Sequence, residues 1–251
     1  MDVIGIIPAR YKSTRFPGKV LVDILGKPML QRVWEQAKES LLLEDLIIAC
    51  DDERVANAAR EFGAKVVLTA KAHLSGTDRI CEVVNPLDVK IVINIQADEP
   101  LIYPVMIDTV AQAFLDDSSL CMVTLMKKIE DPKELNNPNV VKVVVDKNNF
   151  VLYFSRVCIP YHAQNSEVKS PLYYKHIGLY GYTKDFLFIY KNLPISNLEK
   201  IECLEQLRVL EEGYRIKVIE TKHETFGVDT PEDLKKVQEY IKHKADDDQT
   251  D

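Results

Sequence analysis

The sequence predicts an α/β fold, a doubly wound and mostly parallel sheet that also carries a smaller β-rich lobe. Two observations predict it. Up to about residue 120, short and wholly apolar runs alternate with amphipathic helical segments, as strands covered on both faces by crossover helices require. Beyond that point the alternation gives way to paired β-rich runs separated by a turn signal. A chain of 251 residues that is 46% hydrophobic and 28% charged is long enough to bury a sizeable core, and its composition excludes disorder, collagen and a membrane bundle.

Taken in order, Val3 to Ile7 is an apolar run ending at Pro8, a buried first strand. A helix follows Pro28, with Met29, Leu30, Val33, Trp34 and Ala37 at helical spacing. Asp45 to Cys50 reads as the second strand, Asp51 to Phe62 as a helix stopped by Gly63, and Lys65 to Leu68 as the third strand. Thr77 to Val84 reads as a helix, Val89 to Ile95 as a central strand, and Pro104 to Phe114 as a helix with proline in its first turn. In such a sheet, ligands bind beyond the carboxyl ends of the strands, so the informative loops are those after the first strand and after Val89 to Ile95. In the second half, Val140 to Val145 and Phe150 to Phe154 flank the turn signal Asp146 to Asn149 and form a hairpin. His162 to Ser170 is a polar loop, Ile177 to Tyr182 resumes strand character, and Leu198 to Glu211 reads as one amphipathic helix. No linker separates the halves, so residues 1–244 read as a single domain. Its alternating α/β half is about 1–120, its β-rich lobe about 121–244 on the same sheet, and 245–251 form an acidic disordered tail.

The net charge of −7 disfavours a generic polyanion binder, so no nucleic-acid partner is expected. No uncharged apolar run approaches the ~18 residues of a membrane span, and the N-terminus lacks the basic region of a secretory signal. A cytoplasmic protein with no membrane partner is the expectation. Five cysteines, Cys50, Cys81, Cys121, Cys158 and Cys203, form no C-x-x-C pair and read as reduced core thiols.

The charge sum hides an asymmetry. Val3 to Val22 carries Arg10, Lys12, Arg15 and Lys19 with no acid. A loop with four cations, two small hydroxyl residues and a glycine, leaving a buried strand, suits a triphosphate: arginine forks and a lysine point charge can surround phosphate oxygens. On composition alone an ordinary solvated basic loop remains open. Gly18-Lys19 is followed by Val20, so it is not a Walker A loop, and no G-x-G-x-x-G occurs. The second feature is Asp98-Glu99, leaving the strongest buried-strand candidate, where a carboxylate could hold Mg²⁺ or simply end the strand in water.

Ile7 to Lys19 with Ser75-Gly-Thr-Asp-Arg79 and Gln96-Ala-Asp-Glu-Pro100 closely resembles the 3-deoxy-manno-octulosonate (Kdo) cytidylyltransferase family, also called CMP-Kdo synthetases. Asn137 to Lys142, Tyr153 to Arg156, His176 to Tyr182, Leu204 to Arg208 and Gly227 to Asp233 match in the same order, from residue 3 to about 240, with Ala97 a departure where many relatives have glycine. The resemblance implies a nucleotide-diphospho-sugar transferase fold of the glycosyltransferase-A-like kind. It implies transfer of CMP from CTP to the anomeric hydroxyl of Kdo with release of pyrophosphate, which activates the sugar for lipopolysaccharide synthesis.

Carried over residue by residue, the catalytic set is Arg10, Lys19, Asp98 and Asp229, and Asp98 and Asp229 would ligate Mg²⁺. Pro8, Ala9, Arg10, Arg15, Lys19, His73, Ser75, Gly76, Arg79 and Gln96 would hold the nucleotide. Gln96, Arg156, His176, Tyr180, Glu205 and Gln206 would hold the sugar. Locally, Asp229 also reads as a helix N-cap, a role that Thr230 could equally fill; His176 as a satisfied strand histidine; Tyr180 as core; and Glu205 with Arg208 as a surface pair. No Cys-His or Ser-His-Asp arrangement suggests a covalent intermediate. A homodimer is the family expectation. The alternatives are a cytidylyltransferase for 8-amino-Kdo or another 2-keto sugar acid, or a non-catalytic sugar-nucleotide sensor.

Overall fold

The structure, a computed structural model, describes residues 1–12, 16–73 and 75–247. The chain divides into two compact units, residues 1–108 with 224–251, and residues 109–223.

In the first unit, β1 (Val3–Ala9) is followed by a short 3₁₀ turn (Lys19–Leu21) and by β2 (Asp23–Ile24) and β3 (Lys27–Pro28), a small antiparallel pair. Then come α1 (Met29–Lys38), β4 (Asp45–Cys50), α2 (Glu53–Glu61), β5 (Lys65–Leu68), α3 (Gly76–Val84), β6 (Ile91–Asn94) and the start of α4 (Pro104–Asp116). The sheet order β6-β1-β4-β5 is parallel throughout. β1 lies between two neighbours and under helices, which is why six of its seven residues are buried. Gly5 lets Leu43 and Leu46 close over it, since a Cβ there would stand 2.8 Å from a methyl of each.

The second unit contains the rest of α4, β7 (Met122–Lys128), the single turn α5 (Pro132–Leu135), β8 (Lys142–Val145), β9 (Val151–Ser155) and β10 (Tyr174–Thr183). α6 (Lys184–Asn192), α7 (Asn197–Glu202), α8 (Leu207–Glu211) and β11 (Lys217–Glu220) complete it. β7 pairs parallel with β11 and antiparallel with β10, and β8 pairs with β10 and with β9, the expected hairpin. The chain then returns to the first unit as α9 (Pro231–Asp247). Val228 and Val237 pack there against Ile24 and Met29. Each such side chain, fully buried, contributes roughly 1.5–3 kcal/mol and fixes where α9 begins.

The expected strands and helices of the first half fall where the apolar periodicity puts them, within two residues at each end, whereas the short β2 and β3 carry no such signal. Four expectations need correction. Leu198–Glu211 is two helices, because Cys203 adopts φ 52° and ends α7. The first unit ends at Asp108, inside α4, not near residue 120, and α9 belongs to it. The tail expected from residue 245 is helical as far as Asp247, and residues 248–251 lie outside the described residues. All five cysteines are reduced thiols, but only Cys50 and Cys81 are core thiols; Cys121 and Cys158 are half-buried and Cys203 is exposed. Among the described residues no helix is long and apolar enough to cross a membrane.

Candidate active site

Beyond the carboxyl end of β1 the backbone turns back at Gly18, whose N–H donates to Tyr11 O at 3.0 Å. Gly18 has φ +73°, and a Cβ on it would stand 3.3 Å from the Tyr11 ring, so only glycine suits the position. This turn directs Lys19 inward, where its side chain is 13% exposed. Its Nζ donates to Asp98 Oδ2 at 2.6 Å, to Asp229 Oδ1 at 2.9 Å and to Val228 O at 3.2 Å. Burial pulls the Lys19 pKa down, but Asp98 first and then Asp229 outweigh it, so the ammonium is held above its ordinary value.

The structure also decides the role of Asp229. Thr230 Oγ1 accepts from Asp233 N at 3.2 Å while Asp233 Oδ2 accepts from Thr230 N at 3.1 Å, the reciprocal pairing of a capping box. Thr230 therefore caps α9, and the Asp229 carboxylate is left for Lys19. Val228 N donates to Asp98 O at 2.9 Å, tying this segment to the loop after β6. The two acids of that loop differ. Asp98 is 30% exposed and ion-paired, whereas Glu99 is turned inward, with Oε2 buried and unpartnered. Burial, then the charge of Asp98, pushes the Glu99 carboxyl up to about 8 against the opposing hydrogen bond of Thr225, so it holds a proton at neutral pH. Two carboxylate oxygens converging on one cationic nitrogen are the hard donor set that Mg²⁺ takes, with water and phosphate supplying its other ligands. The residues present fit that ion.

Of the other nucleotide candidates, Pro8 and Ala9 end β1, and Arg10, just beyond it, is exposed. Ser75 caps α3 in a capping box with Asp78, and Gly76 opens that helix beside Pro8. Gln96 donates to Asn94 at 3.3 Å. His73 Nε2 makes a short contact with Glu82. Arg79 is placed differently from the expectation: its side chain is 3% exposed, and its guanidinium pairs with Asp51 at 3.0 Å and with Thr69. Asp51 in turn accepts from Tyr11 N at 3.3 Å, so Arg79 braces the basic loop from beneath. Arg15 lies outside the described residues. Sequence reasoning missed Asp51, although it leaves the carboxyl end of β4 as Asp98 leaves that of β6.

In the second unit, the His176 ring meets Phe154 edge-on at 4.9 Å and Tyr180 at 5.3 Å. Burial pushes the imidazole down to about 3, so it is neutral. Glu205 and Gln206 occupy the break between α7 and α8, and Gln206 is buried. Burial and then the Glu205 charge raise the Tyr180 and Tyr190 phenols, and Tyr190 hydrogen-bonds to Glu205. Arg208, which the local alternative reading pairs with Glu205, makes a two-pronged pair with Glu199. Arg156 spans three carbonyl oxygens, Glu202 O at 2.7 Å, Pro138 O at 2.9 Å and Cys203 O at 3.3 Å. In this structure its fork is therefore spent on the backbone.

A cytidylyltransferase family model matches residues 4–219. A 3-deoxy-manno-octulosonate cytidylyltransferase from Solibacter usitatus (strain Ellin6076) is 52% identical over 96% of this chain and 94% of its own. The chain belongs to the 3-deoxy-manno-octulosonate cytidylyltransferase family. Another of these cytidylyltransferases, from Fusobacterium nucleatum subsp. nucleatum, is 49% identical over 96% of this chain and 98% of its own. Among solved structures, a CMP:2-keto-3-deoxy-manno-octonic acid synthetase complexed with CTP superposes with a TM-score of 0.91 and 42% identity over 97% of this chain and 100% of that one. The 4-diphosphocytidyl-2C-methyl-D-erythritol synthase of Anaerococcus prevotii DSM 20548, 13% identical with a TM-score of 0.61, shares the fold alone. This cytidylyltransferase is thus an enzyme, a nucleotidyltransferase, with the expected mostly parallel sheet and flanking helices.

Proposed function

We propose that the enzyme transfers CMP from CTP to the anomeric hydroxyl of Kdo, releasing pyrophosphate and supplying an activated sugar for lipopolysaccharide synthesis. The observation that carries this reading is the meeting of Asp98 and Asp229 on the Lys19 ammonium, in a chain of this family. Asp98 and Asp229 would hold Mg²⁺, which when bound offsets charge at the α-phosphate and lowers the pKa of a coordinated hydroxyl. Lys19, Arg10 and Arg15 supply cations for the phosphates, and the first amides of α3, with Ser75 and Gly76, supply donors to them. His73 and Gln96 would add nucleotide contacts, and Arg79 acts through Asp51 on the loop. Phosphoryl-type transfer runs on positioning and electrostatics, so these groups suffice without an enzyme nucleophile.

For the sugar, the neutral His176, the protonated Tyr180, Glu205 and Gln206 supply both acceptors and donors to hydroxyls. Arg156 can pair the carboxylate once its fork leaves the carbonyls. We further read the enzyme as a cytoplasmic homodimer. β9 and its surroundings expose Leu152, Val157 and Ile201 at 62, 67 and 76%, an apolar surface suited to a second copy. The test is pyrophosphate release. Mixing the enzyme with CTP and Mg²⁺ should release it only when Kdo is added, and no release with any sugar acid would leave a sensor.

A further inference from the structure

Thr124 is fully buried in the middle of β7, opposite the point where β10 slips its register. Ile177 pairs with Leu125 and Tyr180 with Thr124, so Gly178 and Leu179 have no partners on β7 and form a bulge. A bulge re-aims the side chains that flank it, here those of His176 and Tyr180. The Thr124 hydroxyl fills it: Oγ1 lies 2.8 Å from Leu179 O, 3.1 Å from Ile177 O and 2.9 Å from His176 Nε2.

That hydroxyl has one proton and three neighbours. The two carbonyls can only accept, so the proton goes to one of them; otherwise bare oxygens would face each other in a buried site. Only lone pairs then remain for His176, and Nε2 must be the donor. A neutral imidazole carries one N–H, so the lone pair falls on Nδ1. Burial keeps the ring neutral across the physiological range.

We propose that Thr124 is a positioning residue that locks His176 as the Nε2–H tautomer, so that Nδ1 accepts a hydrogen bond from a hydroxyl of the acceptor sugar. The second half of this inference rests on the proposed sugar-binding role of His176; the tautomer does not. It also separates two tasks. A neutral nitrogen acceptor cannot pair a carboxylate, so the sugar's acid group falls to Arg156 and its hydroxyl to His176.

The experiment combines long-range ¹H–¹⁵N NMR of the imidazole in the full-length enzyme with steady-state kinetics of Thr124→Val and Thr124→Ser. Valine keeps the shape and removes the hydroxyl, whereas serine keeps the hydroxyl. The wild type and Thr124→Ser should show protonated Nε2, and Thr124→Val a mixture of tautomers. Thr124→Val should raise KM for Kdo by roughly three- to ten-fold, the worth of one neutral hydrogen bond, with KM for CTP unchanged and recovery in Thr124→Ser. Protonated Nδ1 in the wild type overturns the proposal even if Thr124→Val does not fold. A valine variant with unchanged tautomer and unchanged KM overturns it too. Protonated Nε2 in a wild type that does not turn over Kdo supports the lock while overturning the proposed substrate.

Discussion

Lys19 and Asp229 are 210 residues apart in sequence, yet the lysine ammonium donates to Asp229 Oδ1 at 2.9 Å. The contact exists because Gly18 turns Lys19 inward from the loop after β1 while Thr230, capping α9, leaves the Asp229 carboxylate available. With Asp98 on the same nitrogen, the ammonium stands where two carboxylates need a cation. A metal ion held by these two carboxylates would compete with Lys19 for the same oxygens.

Asp98→Asn and Asp229→Asn should each fold and each lose most of the transfer rate. An amide keeps the shape but not the charge, and the several kcal/mol that a bound divalent ion supplies corresponds to roughly a hundred- to a thousand-fold at about 1.4 kcal/mol per decade. Circular dichroism and turnover at saturating Mg²⁺ are the measurements; near wild-type turnover in either variant removes that residue from the ligand set.

Lys19→Met should act in opposite directions on two ligands. Without its ammonium the two carboxylates lose a cation that competes with a metal ion, so Mn²⁺, followed by electron paramagnetic resonance without nucleotide, should bind more tightly than to the wild type. CTP should bind ten-fold to over a hundred-fold more weakly in titration calorimetry, from loss of ~1.5 to 3 kcal/mol of charged hydrogen bond, with CMP much less affected. Equal losses for CTP and CMP would move Lys19 away from the terminal phosphates.

The neutral His176 gives a pH dependence of stability. Its folded pKa of about 3 lies below the ordinary 6.5, so between those values the unfolded chain binds the proton and the folded one does not. Stability is thus fully present above pH 6.5 and is lost as pH falls towards 3, with a slope of at most about 1.4 kcal/mol per pH unit from this group. His176→Gln should flatten that part of the denaturation profile. An unchanged profile would mean that the ring is charged in the fold.

Much of the first unit was legible because its strands are buried on both faces and their helices are amphipathic, signals that local sequence carries. The Leu198–Glu211 segment was not. Its periodicity runs through Cys203, where the left-handed backbone breaks the helix and leaves Glu205 and Gln206 between two short pieces, an irregularity that apolar spacing does not encode. Asp98 could be suspected from its place after a buried strand, whereas Asp229 required the family resemblance, since no local spacing links it to Asp98. The separate fates of Asp98 and Glu99, one ion-paired and the other buried, depend on tertiary burial alone.

Arg156→Lys should damage both sugar handling and the lobe itself. An ammonium cannot span the carbonyls of Glu202, Pro138 and Cys203, nor make the planar two-pronged contact with a carboxylate. We expect KM for Kdo to rise by about ten-fold or more with CTP affinity retained, and the melting temperature to fall. A variant with wild-type KM for Kdo would assign the sugar carboxylate to another residue.

Kdo is the acceptor this cytidylyltransferase is expected to use. Kdo, 8-amino-Kdo and N-acetylneuraminate offered in equal amounts with CTP and Mg²⁺, and the CMP-sugars separated and weighed by mass spectrometry, give a direct competition. CMP-Kdo should be the dominant product, with UTP a poor substitute for CTP; dominant use of either competing sugar acid would show that the acceptor is not Kdo.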